Sequence, residues 1–128
     1  FDYIIHPISN LYVPDINPVW RECYRVLNIG GALLSSFYNP ALFVFARDSE
    51  LDKQRLLKPK FKLPYSSPIN PAELDQAVIF GHTLTDQLNG QTAVGFHIVG
   101  FIEDEHPNPR FLIEQYMKTM IATKSIKV

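Results

Sequence analysis

The sequence holds a single cysteine, Cys23, among 128 residues. A lone thiol excludes an internal disulfide and cannot assemble a zinc site by itself, so the expectation is a cytoplasmic protein without a metal centre. Charge of one sign is not in surplus either. Twelve Lys plus Arg stand against thirteen Asp plus Glu, a formal charge of −1. No broad cationic surface is then available to neutralise phosphates or anionic lipid, and neither nucleic acid nor membrane is an expected partner. No apolar run approaches the roughly 20 residues that cross a bilayer, and the N-terminus lacks the basic start and apolar core of a signal peptide. There is no internal repeat, no low-complexity segment and no initiator Met. Phe1 already reads as the opening of a strand, so the chain is expected to be cut from something longer.

What is present suits one globular α/β unit, with 46% hydrophobic and 20% charged residues. Phe1 to His6 is an aromatic and β-branched run that predicts a buried strand ending at Pro7. Asn17 before Pro18 predicts a helix start, the Asn side chain capping free amides and Pro losing no hydrogen bond. Val19, Cys23, Val26 and Leu27 then recur on one helical face. Gly30 and Gly31 suit the left-handed turn that leads into a second strand, Ala32 to Phe37. A strand, helix, strand unit of this length implies two parallel strands.

From about 41 to 80 the pattern weakens, with a polar stretch at Arg47 to Arg55 and prolines clustered between Pro40 and Pro71. This reads as an insertion, in which Lys60 to Tyr65 and Ala77 to Phe80 could pair as a small hairpin. Thr83 with Asp86 resembles a capping box that opens a helix through Leu84, Leu88 and Phe96. His97 to Asp104 reads as a strand, Phe111 to Tyr116 as a short helical turn and Met117 to Val128 as a final strand. Those last two strands, lacking a full helical crossover between them, are expected to be antiparallel.

The run FDYIIHPISNLYVPDINPVWRECYRVLNIGGALLSSFYNP resembles the second half of a class I S-adenosylmethionine-dependent methyltransferase. The resemblance is carried by Phe1 and Asp2 opening a strand, by a loop ending Val13, Pro14, Asp15, and by Arg25, Val26, Leu27 running into Gly30 and Gly31. It implies the C-terminal part of a Rossmann-like methyltransferase domain, with parallel strands, helices and an antiparallel C-terminal pair, about four of the family's seven strands. It also implies S-adenosylmethionine as cofactor of the complete protein. The family's glycine-rich cofactor loop has no counterpart here, since no G-x-G followed by a helix occurs. The fragment is therefore expected to be inactive alone.

In open α/β sheets ligands sit beyond the carboxyl ends of the strands, which selects His6 to Asn10 and Phe37 to Pro40. The resemblance implies that His6, Pro7 and Ile8 line the cofactor side. Asn10, Tyr12, Tyr38 and Asn39 are the candidates for binding a small-molecule methyl acceptor. His6 and His82 are the candidate bases by residue type, because an imidazole titrates near pH ~6.5. A base is needed only where the acceptor must lose a proton. His97, within a strand, and His106, in a proline-rich turn, are weaker candidates. Cys23 is expected to be a buried small hydrophobe, and Lys58, Lys60 and Lys62 a solvated edge.

Two other readings fit parts of the sequence. One is a non-catalytic α/β module that pairs with another copy through an exposed Phe1 to Ile5 edge. The other is a piece of a dinucleotide-binding oxidoreductase, whose sheet is built alike.

Overall fold

The computed structural model describes residues 1–46, 49–68 and 77–128. Its centre is a four-stranded sheet in the order β1 (Tyr3–His6), β2 (Ala32–Tyr38), β6 (Met120–Lys127) and β5 (Phe96–Asp104). β1 and β2 run parallel, with Tyr3 beside Ala32 and His6 beside Ser35. β6 is antiparallel to both its neighbours. β5 therefore points the same way as β1 and β2, and all three carboxyl ends lie along one side of the sheet. The expected α/β class, with parallel strands and an antiparallel C-terminal pair, is what the chain adopts.

Helix α1 (Asn17–Val26) joins β1 to β2. Its start corrects the expectation for Asn17. That residue is the first of the helix rather than its cap, Pro18 follows it, and the Asn17 N–H donates to Asp15 Oδ1 at 3.0 Å. Asp15, two residues upstream, therefore takes up the first free amide of the helix, the Asn17 N–H itself. Gly30 adopts φ +84° after the helix, the left-handed conformation expected of it, and Gly31 N–H closes the turn on Asn28 O at 2.9 Å.

The core forms where α1 meets one sheet face. Trp20, Cys23 and Leu27 pack there with Ile16, Leu33 and Phe96. Trp20, spaced three residues before Cys23 and seven before Leu27, is fully buried. The opposite face is bare: Tyr3 and Ile5 are 72% and 73% exposed, and Leu34 and Ile102 are exposed beside them. The expectation of a buried first strand is therefore corrected. β1 is an edge strand covered on one face only, and just Ile4 and His6 are half-buried.

After β2 come α2 (Ala41–Val44) and α3 (Ser49–Lys53), then a hairpin of β3 (Tyr65–Ser66) and β4 (Phe80–Gly81). Leu42, Phe43 and Ile113 form a second buried cluster, against which Tyr38, Leu63, Tyr65 and Phe111 pack. The hairpin joins the far ends of the two expected runs. Pro64 has no N–H to give a ladder, and Lys60 and Phe61 instead donate their N–H groups to Val44 O. Residues 47–48 and 69–76 of the expected insertion lie outside the described residues.

Thr83 Oγ1 accepts the Asp86 N–H at 3.2 Å, as a cap should. The helix it opens is shorter than expected, and wound differently. Thr85–Asn89 is π-helical, α4 (Gly90–Ala93) is α-helical, and Gly95 at φ +115° breaks the run so that Phe96 opens β5. The turn at Leu112–Gln115 lies inside the expected Phe111 to Tyr116 segment, and β6 begins at Met120 rather than Met117 because Met117 N–H still bonds back to Ile113 O.

Candidate functional site

The loop after β1 turns back onto β2. Ile8 takes φ +26°, and its N–H donates to Ser36 O at 2.9 Å and lies 3.2 Å from Ser36 Oγ. Asn10 follows at the start of a short turn, Asn10–Tyr12, and is almost wholly buried. A cavity of about 10 Å³, room for roughly one water molecule, opens among Ile8, Asn10, Tyr38, Phe43, Phe80 and Gln87. The structure thus brings Ile8, Asn10 and Tyr38 together at the carboxyl ends of β1 and β2.

Asn10 is the hub. His6 Nε2 lies 2.7 Å from its Oδ1, and its Nδ2 donates to Gln87 Oε1 at 2.9 Å. His82 Nε2 sits 2.9 Å from the Asn10 backbone carbonyl. A carbonyl only accepts, so His82 carries its proton on Nε2. His82 is buried, and that nitrogen is committed. His6 is half-buried, and its ring meets Trp20 edge-on at 6.1 Å.

The other candidates divide. Pro7 is exposed and faces the bare side, lining a recess of about 390 Å³ with Ile5, Leu34, Gly100 and Ile102. Tyr12 is exposed. Asn39 serves its own turn, Oδ1 accepting the Ala41 N–H at 3.0 Å. Tyr38 is occupied by a cation: Arg110 lies over its ring at 5.6 Å and donates to its hydroxyl at 3.5 Å. Arg110 also donates to the buried Glu114 carboxylate at 3.1 Å. Burial works against the Arg110 charge, yet the Tyr38 hydroxyl and then Glu114 outweigh it and hold its pKa above the ordinary value. His97 is exposed on β5, and His106 is half-buried beyond it. Burial pushes the Cys23 thiol pKa up, as suits a packed thiol rather than a nucleophile.

Sequence reasoning missed Gln87 and Gln91. Gln91 Nε2 donates to Gln87 O and to Thr123 Oγ1, and its Oε1 accepts from Ser125 Oγ. Both glutamines are buried, and glutamine is ordinarily an exposed residue. Their spacing of four on a helix was the one available signal.

Among the described residues no helix is long and apolar enough to cross a membrane. No family model matches the chain. It is 43% identical, over its whole length, to the uncharacterized methyltransferase YbaJ of Bacillus subtilis, of which it spans 51%. The chain therefore spans about half the length of the curated relative it matches. Its fold superposes on a solved structure from Listeria monocytogenes described as a proposed S-adenosylmethionine-dependent methyltransferase, with a TM-score of 0.70 and 17% identity over 100% of this chain and 62% of that one. An S-adenosylmethionine-dependent methyltransferase from Mesorhizobium loti gives 0.68 and 19% over 98% of this chain and 62% of that one. Across its length, then, the chain resembles about half of a methyltransferase in sequence and carries the fold of solved S-adenosylmethionine-dependent methyltransferases.

Proposed function

We propose that the chain is part of an enzyme that transfers a methyl group from S-adenosylmethionine to a small-molecule acceptor. The observation that supports this best is the whole-length identity to a methyltransferase. The sheet order agrees, since an antiparallel β6 between two parallel strands suits this family better than a dinucleotide-binding oxidoreductase. The near-neutral charge favours a small acceptor over nucleic acid.

The cofactor, when bound, supplies an already activated methyl group, so the protein chiefly aligns and desolvates. The residues present fit one wall of its site. His6 and Pro7 stand at the strand mouth, half-buried and exposed, and Ile8 is pinned behind them by Ser36. These three would line the cofactor, with Asn10 and Tyr38 towards the acceptor. His6 is the reachable candidate base, because His82 is buried with its Nε2–H committed to Asn10. The remaining cofactor contacts must come from outside these 128 residues, and alone the chain does not turn over.

Calorimetric titration with S-adenosylhomocysteine tests this reading. No detectable heat is expected for the 128 residues, and clear binding for a protein spanning the length of the Bacillus relative. Micromolar binding by the 128 residues alone, or none by the longer protein, overturns it.

A second reading rests on the β1 edge. Apolar recesses flank it on both sides, one of about 390 Å³ on the bare face and one of about 400 Å³ lined by Ile4, Val19, Cys23 and Val26. An unpaired edge between two apolar flanks invites strand addition, so the isolated chain is proposed to self-associate there.

A further inference from the structure

An amide side chain has two unlike ends: its carbonyl only accepts hydrogen bonds and its NH2 only donates. Asn10 stands between two partners, with Nδ2 committed to Gln87 Oε1 at 2.9 Å and Oδ1 turned to His6 Nε2 at 2.7 Å. Only a ring bearing its proton on Nε2 can donate to that oxygen. We propose that Gln87 is a positioning residue for His6, acting through Asn10 to hold the imidazole as its Nε2–H tautomer with the lone pair on Nδ1.

Gln87 does not touch His6, so the effect is relayed. The relay is stiff at its far end: Gln91 Nε2 donates to the Gln87 backbone carbonyl at 2.9 Å, and Gln91 Oε1 accepts from Ser125 Oγ on β6 at 2.6 Å. Asn10, Gln87 and Gln91 are 1%, 3% and 0% exposed. In so buried a place an unpaired amide end would cost about 1–3 kcal/mol. Gln91 thus ties the Gln87 backbone to β6, and from that anchored turn the Gln87 side chain reaches Asn10 at the strand end. Among the described residues the other polar side chain within hydrogen-bonding distance of His6 is Ser9, whose Oγ lies 3.5 Å from Nδ1 and 3.4 Å from Nε2. Nδ1 is the nitrogen left able to take a proton. That last consequence for catalysis rests on the methyltransferase reading, whereas the tautomer does not.

Long-range proton–nitrogen spectra of the intact protein, recorded without ligand at about pH 8 where an ordinary imidazole is neutral, read the tautomer directly. His6→Gln assigns the signals by their loss. The expected wild-type pattern is a single neutral form with the proton on Nε2. Gln87→Met removes the acceptor, frees the Asn10 amide to flip, and is expected to move the His6 nitrogens towards a mixed pattern. Gln87→Glu keeps an acceptor for Asn10 Nδ2 and is expected to keep Nε2–H. A wild-type ring protonated on Nδ1, or an unchanged tautomer in folded Gln87→Met, overturns the proposal. If Gln87→Met does not fold, the wild-type and Gln87→Glu spectra decide. An absence of S-adenosylhomocysteine binding by a protein spanning the length of the Bacillus relative, beside a pinned Nε2–H, would sink the functional reading and leave this one standing.

Discussion

Gly90 lies so close against Trp20 that a Cβ built on it would stand 2.7 Å from the indole Cδ1 and 2.9 Å from Nε1. The ring cannot retreat: it is fully buried, and its Nε1–H donates to Asp86 O at 2.9 Å. Gly90→Ala should gain helix propensity of about 1 kcal/mol but lose more to overpacking, which costs about 1–3 kcal/mol. The expected result is a net loss of stability in urea unfolding. An unchanged or raised midpoint would show that the indole has room to move.

Arg110 and Glu114 make a second prediction. The Glu114 side chain is 1% exposed and accepts both the Arg110 backbone N–H at 2.9 Å and its guanidinium at 3.1 Å. Arg110→Ala leaves that carboxylate with one donor fewer in a buried place. Breaking a fully buried pair costs about 3–5 kcal/mol, and the partial exposure of Arg110 brings the expectation down to about 2 kcal/mol. Glu114→Gln retains an acceptor and should cost less. The ranking of the two in thermal unfolding is the check, and the reverse order would contradict it.

Cys23 should be chemically silent in the folded protein. Burial raises its thiol pKa above the ordinary thiol value, with the nearby Glu22 charge adding to it. An aromatic disulfide reagent at about pH 8 is expected to titrate it only after denaturant is added. The sign for stability follows from the same shift. The folded state favours the protonated thiol, so this contribution is intact below the unfolded pKa and fades as pH rises towards the folded one. Rapid reaction without denaturant would place the thiol at the surface.

Ile5→Lys tests the open edge. Ile5 is 73% exposed on the bare face of β1, and a lysine on an edge strand discourages pairing. Light scattering of the isolated chain should show a smaller mean mass for the variant, with circular dichroism unchanged. A wild-type chain that is strictly monomeric would remove the premise.

The sheet and its parallel start were legible because alternating and β-branched runs were bounded by Pro7 and Pro40, whose φ is fixed, and by Gly30 and Gly31, where the chain is free to turn as other residues are not. The exposure of β1 was not legible. Tyr3 and Ile5 look like core residues, and nothing local in Phe1 to His6 says which neighbours are present. The π-wound Thr85–Asn89 was also hidden, since its apolar spacing at Leu84 and Leu88 matches an ordinary helix. Of the candidate site, His6 and Asn10 were found from their place after a strand. Gln87 and Gln91 escaped because polar residues on a helix are read as solvated until a three-dimensional partner is known. Here the partners are Asn10 and Ser125, 77 and 34 residues away.

β6 is flanked by β2 on one side and β5 on the other, and those two strands share no hydrogen bonds of their own. Assembly of the sheet is therefore back-loaded. The parallel pair β1 and β2 can dock early, but β5 has nowhere to attach until the segment from Met120 onward arrives. A chain shortened before Met120 would lose the middle plank, and with it the Ser125 hydroxyl that anchors the buried amides beneath.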